Sequence, residues 1–389
     1  MKRFFSIFLV ALHLLLPVHS WAATLFAETP DATQGKEFWS MVTGTVAYDS
    51  TTPTKSGVAS WKFGDAATSQ LNLLRTGSVL GTTARFSGYV RINDLPSTAS
   101  ARLVTISAAN LTGVLILFVR STGAIFLTNS SGVQIGSDGA TLSTGVWYRI
   151  TLAWNITSTT VYNVKVFVDG VQSISGSNSP TLDNASPALL SINYVSPGVA
   201  KYANWQHVYA DDGAGVDDPG DIRVTAKRPN ANGTTNGFTT QIGSGGSGYG
   251  SGHSPQVNER ALSTTNGWSH VVTGSAITEE YTIENAATGD VNLTGATLVD
   301  YVGWVYASSL ASETAQIVAG GATSNISLTS TPTMFTKIAG STTYPAGGTD
   351  IGIVTATTAT TVSLYEAGTM MIYKPTGCPR TFALLGVGC

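Results

Sequence analysis

The acidic residues of this 389-residue chain set the first limit on its chemistry. Retaining hydrolysis of a glycosidic bond usually takes two carboxyl groups about 5 Å apart, one as nucleophile and one as acid. No glutamate occurs between Glu37 and Glu259. The aspartates from Glu37 up to position 212 stand mostly beside Gly, Asn or Ala, as turn-forming residues do; they are Asp49, Asp65, Asp94, Asp138, Asp169, Asp183, Asp211 and Asp212. We therefore expect no catalytic residues and predict that the protein is not an enzyme, with an unrecognised polysaccharide-active mechanism as a remaining alternative.

Asp211 and Asp212 are the candidate metal ligands. They follow the stretch NWQHVYA and enter GAGVDDPGD, where carboxylate and carbonyl oxygens could converge on a hard cation such as calcium. An ordinary turn between two domains explains the same residues. No Asp-x-Asp-x-Asp loop accompanies them, so both interpretations stay open.

Four side chains near this stretch are candidate ligand-binding residues, since an exposed ring can lie against the apolar face of a pyranose. They are Trp205, His207, Tyr209 and Tyr202, with Tyr194 as a further aromatic residue nearby. Most aromatic residues at alternate strand positions belong to a core instead, because burial stabilises each by about 1.5–3 kcal/mol. Trp147 and Trp154 are predicted to be core residues. Function would then lie in loops or on an outer sheet face.

The two cysteines, Cys378 and Cys389, both lie in the tail GCPRTFALLGVGC. In an oxidising compartment this pair can close a short loop with a disulfide. Two free thiols are the alternative. A zinc site is disfavoured, because zinc usually takes four Cys and His ligands and the histidines here are scattered.

Composition and the N-terminus indicate where the protein acts. Charged residues make up 11% of the chain and the net charge is −3, so no field steers the protein onto nucleic acid. Lys2 and Arg3 precede the apolar run FFSIFLVALHLLLPV, and the stretch Ser20-Trp21-Ala22-Ala23 supplies small residues where a signal peptidase would cut. This order predicts a secretory signal over residues 1–23. Its apolar run is too short for a helix that spans a membrane. We therefore expect a secreted or surface protein that is not inserted into a membrane after cleavage.

Short runs of alternating apolar and polar residues, separated by Gly, Asn, Asp, Ser and Pro, fill the rest of the chain. Such runs predict antiparallel strands and an all-β protein of two sandwiches. We place a two-sheet jelly roll at residues 24–216 and a second, smaller β-sandwich at 217–377, followed by the Cys-bounded tail at 378–389. A Gly/Ser-rich loop is predicted at 230–256, because this composition cannot bury enough apolar surface.

The strand GVWYRITLAW, the hairpin sequence VKVFVDG and the closing strand NWQHVYADDG resemble the laminin-G-like or concanavalin A-like jelly roll of lectins and glucanases. The resemblance covers roughly residues 36–216 and is most specific between Gly145 and Val171. It implies a fold that often binds glycans or proteins, sometimes with calcium. The Glu-x-Asp-x-x-Glu type strand of the glucanases is absent.

The order GDIRV, RPNANG, QVNE, GATLVDYVGWVYA in the second half resembles the rear part of accessory proteins from tailed-phage virions. That resemblance implies a structural or receptor-facing role, whereas virion proteins normally need no export. We expect a non-catalytic binding protein whose jelly roll recognises a glycan or an extracellular protein. A structural or virion component is the alternative.

Overall fold

A computed structural model of the chain describes residues 22–32, 38–39, 41–64, 69–73, 80–97, 100–195, 201–213, 216–243, 257, 262, 264–344, 350–356 and 360–376. Every regular element in these ranges is a β-strand, which confirms the predicted all-β class. Among these residues no helix has the length and apolar character needed to cross a membrane. Cys378, Cys389 and nearly all of the predicted signal lie outside the described residues.

The first half of the chain folds into two facing sheets. Its strands are β1 Thr24–Glu28, β2 Met41–Thr43, β3 Val46–Asp49, β4 Ser60–Phe63, β5 Ser69–Leu73, β6 Thr83–Ile92, β7 Ala101–Ser107, β8 Gly113–Val119, β9 Ile125–Thr128, β10 Gln134–Ile135, β11 Trp147–Ile156, β12 Tyr162–Val168, β13 Val171–Ser177, β14 Leu189–Val195 and β15 Ala203–Asp211. An eight-stranded sheet has the order β13-β12-β11-β6-β15-β4-β3, with β1 also paired to β15. A seven-stranded sheet has the order β10-β9-β8-β7-β14-β5-β2. Both sheets contribute to one hydrophobic core, as expected for a jelly-roll sandwich.

The second half of the chain forms another pair of sheets. Its strands are β16 Arg223–Lys227, β17 Pro229–Asn236, β18 Thr240–Ile242, β19 Gly267–Val271, β20 Thr278–Ile283, β21 Thr297–Ser309, β22 Glu313–Ala319, β23 Ala322–Leu328, β24 Thr333–Ile338, β25 Asp350–Val354 and β26 Thr361–Lys374. A six-stranded sheet has the order β18-β19-β26-β21-β24, with β16 paired to β26, and a five-stranded sheet has the order β17-β20-β25-β22-β23. These sheets enclose a separate core.

Strand β11 shows how the alternating pattern becomes a sandwich. Ile150, Leu152 and Trp154 are buried in the core between the sheets, whereas Arg149 lies on the opposite face. The prediction of Trp147 as a core residue is wrong, because it lies seven positions before Trp154, an odd offset, and successive side chains alternate between faces. Trp147 is only partly buried, and its Nε1 donates a hydrogen bond to the Pro53 carbonyl oxygen at 2.7 Å.

One feature of the second sandwich differs from the sequence prediction. The predicted loop at 230–256 contains strand β18 and most of β17, while residues 244–256 lie outside the described part. Strand β26 runs unbroken from Thr361 to Lys374. Its central Gly368 interrupts the apolar pattern because the indole of Trp304 occupies that space, so a Cβ there would lie 2.6 Å from the Trp304 ring.

The outer face of the eight-stranded sheet is covered by the second sandwich. A third apolar cluster joins the two halves and includes Tyr209 from β15, Ile222 and Val224 at the start of the second half, and Trp304 from β21. Phe38 packs edge-on against Trp304 with ring centroids 5.9 Å apart. Apolar contact therefore holds this face closed at one end.

Charged pairs close a further part of that face. Arg149 of β11 binds Asp218 through two nitrogens, at 2.5 and 2.8 Å, and Asp218 also accepts from Thr151. Tyr89 of β6 donates to Asp221, which forms an ion pair with Arg223. Burial alone would raise the pKa of Asp218, but the hydrogen bonds and charge of Arg149 outweigh it and hold this pKa below its usual range.

Replacing Asp218 by Asn should strongly destabilise the protein, because it leaves the buried guanidinium of Arg149 without its counter-charge. We expect the free energy of unfolding, measured in urea, to fall by about 3 kcal/mol. Adding Arg149→Met should recover part of this loss. Asp217→Asn is the matched control, since its side chain is 84% exposed, and should change stability by less than about 0.5 kcal/mol. Equal stability of Asp218→Asn and the wild type would contradict this account.

Candidate functional site

The ligand-binding residues predicted on β15 lie inside the structure. Trp205 is fully buried in the jelly-roll core, where its Nε1 donates to the Asn193 carbonyl oxygen at 3.0 Å. Tyr209 is 1% exposed and belongs to the apolar cluster between the two halves. Neither ring presents a face for stacking on a sugar.

His207 is fully buried and connects the two sandwiches. It has a positive φ of 52°, at an irregularity in the pairing of β15 with β6. Its Nδ1 lies 2.6 Å from the Val224 carbonyl oxygen and therefore carries the proton, so that Nε2 accepts from Ser56 Oγ at 2.8 Å. Burial, followed by the charge of Arg223, lowers the pKa of His207 to about 3. The imidazole is thus a neutral structural group.

Tyr202 and Tyr194 have different environments. Tyr202 is partly buried, and the Lys62 ammonium lies 4.3 Å from its ring centroid. Tyr194 is buried in the core, with its hydroxyl donating to the Asp94 carbonyl oxygen. Of the predicted aromatic residues, Tyr202 retains the most accessible surface.

The two candidate metal ligands have other partners. Both carboxylate oxygens of Asp211 accept from Arg85 at 2.8 Å, and one also accepts from the Gly213 amide. Asp212 accepts from the Ala23 amide at 2.6 Å. Within the described part of the chain no three His, Cys, Asp or Glu side chains converge to hold a metal ion. Both carboxylates are thus engaged by groups of the protein itself, and calcium binding by Asp211 and Asp212 stays a prediction.

The outer face of the seven-stranded sheet carries a row of aromatic and cationic side chains. Arg102 of β7 is the cross-strand partner of Phe118 on β8, which in turn pairs with Phe126 on β9. The two phenylalanine rings stack with centroids 5.1 Å apart and 14° between their planes. The Arg120 guanidinium lies 3.9 Å from the Phe126 centroid, and that of Arg102 lies 5.9 Å from the Phe118 centroid. We call these four residues the Arg–Phe row.

The Arg–Phe row remains partly exposed to solvent. Its rings point away from the core because Leu117, Val119, Ile125 and Leu127 take the inward positions of β8 and β9. Large apolar residues therefore occupy both faces of these strands, which packing of a single core does not require. The parts of the Phe118 and Phe126 rings that stay exposed to solvent are suited to contact with a ligand.

The two arginines of the row differ in their partners. Arg120 forms a forked ion pair with Asp138, at 3.0 and 2.9 Å, and a bond to Gln134. Arg102 has no salt bridge within the described residues, and its Nε is buried without a hydrogen-bond partner there. Burial lowers the pKa of Arg102, with no neighbouring charge to oppose it. Among the described residues, no carboxylate thus pairs with the positive charge of Arg102.

Two buried polar side chains lie beside the row. Asn193 of β14 donates to Thr105 Oγ1 at 3.4 Å, while its Oδ1 has no partner among the described residues. Thr128 Oγ1, next to Phe126 on the same face of β9, likewise has no partner there. Both residues are shielded from solvent, so the guanidinium groups of Arg102 and Arg120 are the polar groups that the row itself offers at the surface.

Sequence reasoning missed the Arg–Phe row. Two signals were available in the sequence. The run GVLILFV places apolar residues on both faces of a strand, and a single arginine interrupts the run ARLVTIS. Neither signal reveals that Arg102, Phe118 and Phe126 lie side by side, because strand register determines that proximity.

A pocket of about 290 Å³ lies in the second sandwich. Its lining is mainly apolar and includes Leu293, Leu298, Tyr344 and Tyr373. The Tyr344 hydroxyl already donates to the Glu284 carbonyl oxygen.

No protein-family model and no curated protein sequence matches the chain. Among solved structures, an endo-β-1,4-glucuronan lyase from the fungus Trichoderma reesei is 16% identical, with a TM-score of 0.41 over 51% of this chain and 100% of that one. A cellulose-induced protein is 12% identical, with a TM-score of 0.36 over 48% of this chain and 90% of that one. Domain 4 of an extracellular arabinanase from Geobacillus stearothermophilus, solved with arabinotriose, is 15% identical, with a TM-score of 0.34 over 50% of this chain and 94% of that one. These likenesses are too distant to assign a function to this chain, and the resemblance of the second half to virion proteins stays a prediction.

The buried His207 should make the protein acid-sensitive. Its pKa is about 3 when folded and 6.5 in the reference state, so only the unfolded chain gains this proton between those values. The stabilisation is complete above pH 6.5 and decreases as pH falls towards 3, by about 1.4 kcal/mol per pH unit. Urea unfolding at pH 7.5, 6.5 and 5.5 measures this slope. His207→Asn, which tolerates the positive φ, should flatten it.

His270→Asn is the control for this experiment, since His270 is partly exposed and should leave the slope unchanged. An identical slope in wild type and His207→Asn would show that His207 is not the group responsible.

Proposed function

We propose that the protein binds a carbohydrate through the outer face of the seven-stranded sheet, with the Arg–Phe row as the centre of the site. The observation that carries this proposal is the pair of stacked, partly exposed rings of Phe118 and Phe126 between the guanidinium groups of Arg102 and Arg120. A sugar ring presents both C–H groups and hydroxyls, which match rings and polar atoms respectively. The opposite sheet offers no comparable surface where the second sandwich covers it.

The proposed activity is binding without cleavage. The seven strands of this sheet contain no Asp or Glu in their sequences, so they supply no carboxylate pair for acid and nucleophile roles. Tyr89 and His207, which could transfer protons elsewhere, are buried under the second sandwich with partners of their own. Asp138 is held by Arg120.

Glycan-array screening of the purified full-length protein tests the proposal. The wild type should bind one class of saccharide, and Phe118→Ala should reduce affinity for it by about tenfold or more, since aromatic contacts of this kind contribute about 1–3 kcal/mol. Tyr202→Ala is the matched control, because it removes a partly exposed aromatic ring from the opposite sheet, and should leave binding within about twofold. Chelation of calcium should have no effect.

Binding that is lost in Tyr202→Ala and retained in Phe118→Ala would place the site on the eight-stranded sheet, beside the residues that the sequence predicted. A wild type that binds no glycan would contradict the proposal itself.

We also propose that the protein is secreted after removal of the N-terminal segment. Thr24 is the first residue of β1, which pairs with β15, so cleavage before it leaves the sheet intact. N-terminal sequencing of protein exported by its host should begin at Ala23 or Thr24. Recovery of the exported chain with Met1 or Lys2 at its start would refute this.

A further inference from the structure

We propose that the carbohydrate recognised by the Arg–Phe row is acidic, and that the Arg102 guanidinium binds the carboxylate of a uronic acid unit. This inference rests on the proposed function and specifies its ligand class. It follows from the charge of the sheet face, from the unequal partners of its two arginines and from the position of Arg102 beside an exposed ring.

The first argument is the isolation of the charge. Arg102 is the only charged residue in the sequences of the seven strands, β2, β5, β7, β8, β9, β10 and β14. Removing a guanidinium partly from water without a counter-charge is unfavourable, so a surface of this kind favours an anionic occupant. A neutral saccharide would leave that cation uncompensated.

The second argument is the comparison within the row. Arg120 and Arg102 contact the two ends of the same ring pair, but Arg120 donates to Asp138 and Gln134. Arg102 Nε has no acceptor among the described residues. The protein supplies a carboxylate at one end of the row, and none of the described residues supplies one at the other end, where we place the carboxylate of the ligand.

The third argument is distance. The carbon of the Arg102 guanidinium lies 5.9 Å from the Phe118 ring centroid. In a uronic acid the carboxylate is bonded directly to the pyranose ring, so a sugar that rests on the exposed part of Phe118, beside the ring faces covered by Phe126 and Arg102, brings its carboxylate next to Arg102. The planar guanidinium can then donate two parallel hydrogen bonds to the two oxygens. A sulfate ester is held further from its sugar ring and fits this spacing less well.

The experiment compares charged polymers with neutral ones of the same backbone. The probes are oligomers of polygalacturonate, polyglucuronate and alginate, each paired with its carboxyl-reduced counterpart, and dextran sulfate as a sulfated polymer. Calorimetry with the full-length wild type should give binding to at least one uronate oligomer. Carboxyl reduction and Arg102→Gln should each weaken that binding by about tenfold to a hundredfold.

Arg120→Gln is the matched control and should change affinity by less than about threefold, since its charge is already paired with Asp138. Arg102→Lys keeps the charge but loses the planar fork and should give intermediate affinity. Arg102→Lys should also keep the wild-type melting temperature, so its lower affinity would not be due to a folding defect. Binding to the uronate should weaken as salt is raised.

Two results would overturn the inference while leaving the proposed function in place. One is equal binding of a uronate and its reduced counterpart, with loss in Phe118→Ala alone. The other is stronger binding of dextran sulfate than of every uronate. If the wild type binds neither charged nor neutral oligomers, the proposed function fails together with the inference.

Discussion

The structure depends on how the charged outer face of the eight-stranded sheet is buried. Arg149, Tyr89 and the neutral His207 lie on that face, and an apolar cover alone would leave the guanidinium unpaired at a cost of several kcal/mol. The segment that follows β15 supplies Asp218 and Asp221 at these positions. Their carboxylates offset the free-energy cost of burying this charged face. They thereby hold the second sandwich on the first.

This arrangement leaves the jelly roll with one principal open face. The seven-stranded sheet contains none of the charged pairs that close the other sheet, and its Arg–Phe row stays partly exposed. Stacked, partly exposed rings and a guanidinium that no carboxylate pairs with among the described residues are properties of a binding surface rather than of a core. The closed face stabilises the assembly of the two halves, and the open face is where we place function.

The fold was largely predictable from the sequence, because alternation with period two and turn residues are local signals. The hairpin at Asp169 and Gly170 is confirmed by positive φ values of 50° and 86°. Interactions between distant residues were not predictable. Arg149 and Asp218 are 69 positions apart, and nothing local indicates that they meet. For the same reason Trp205 and His207 looked like candidate site residues, although the second sandwich and the core bury them.

The most direct test of this division between the two faces is hydroxyl-radical footprinting of the full-length protein, with and without a saturating oligosaccharide found by the array. The account predicts that ligand protects Phe118 and Phe126 from oxidation, while Trp147 and Tyr202 on the eight-stranded sheet react at the same rate in both samples. Protection of Trp147 and Tyr202 with no change at the two phenylalanines would contradict it.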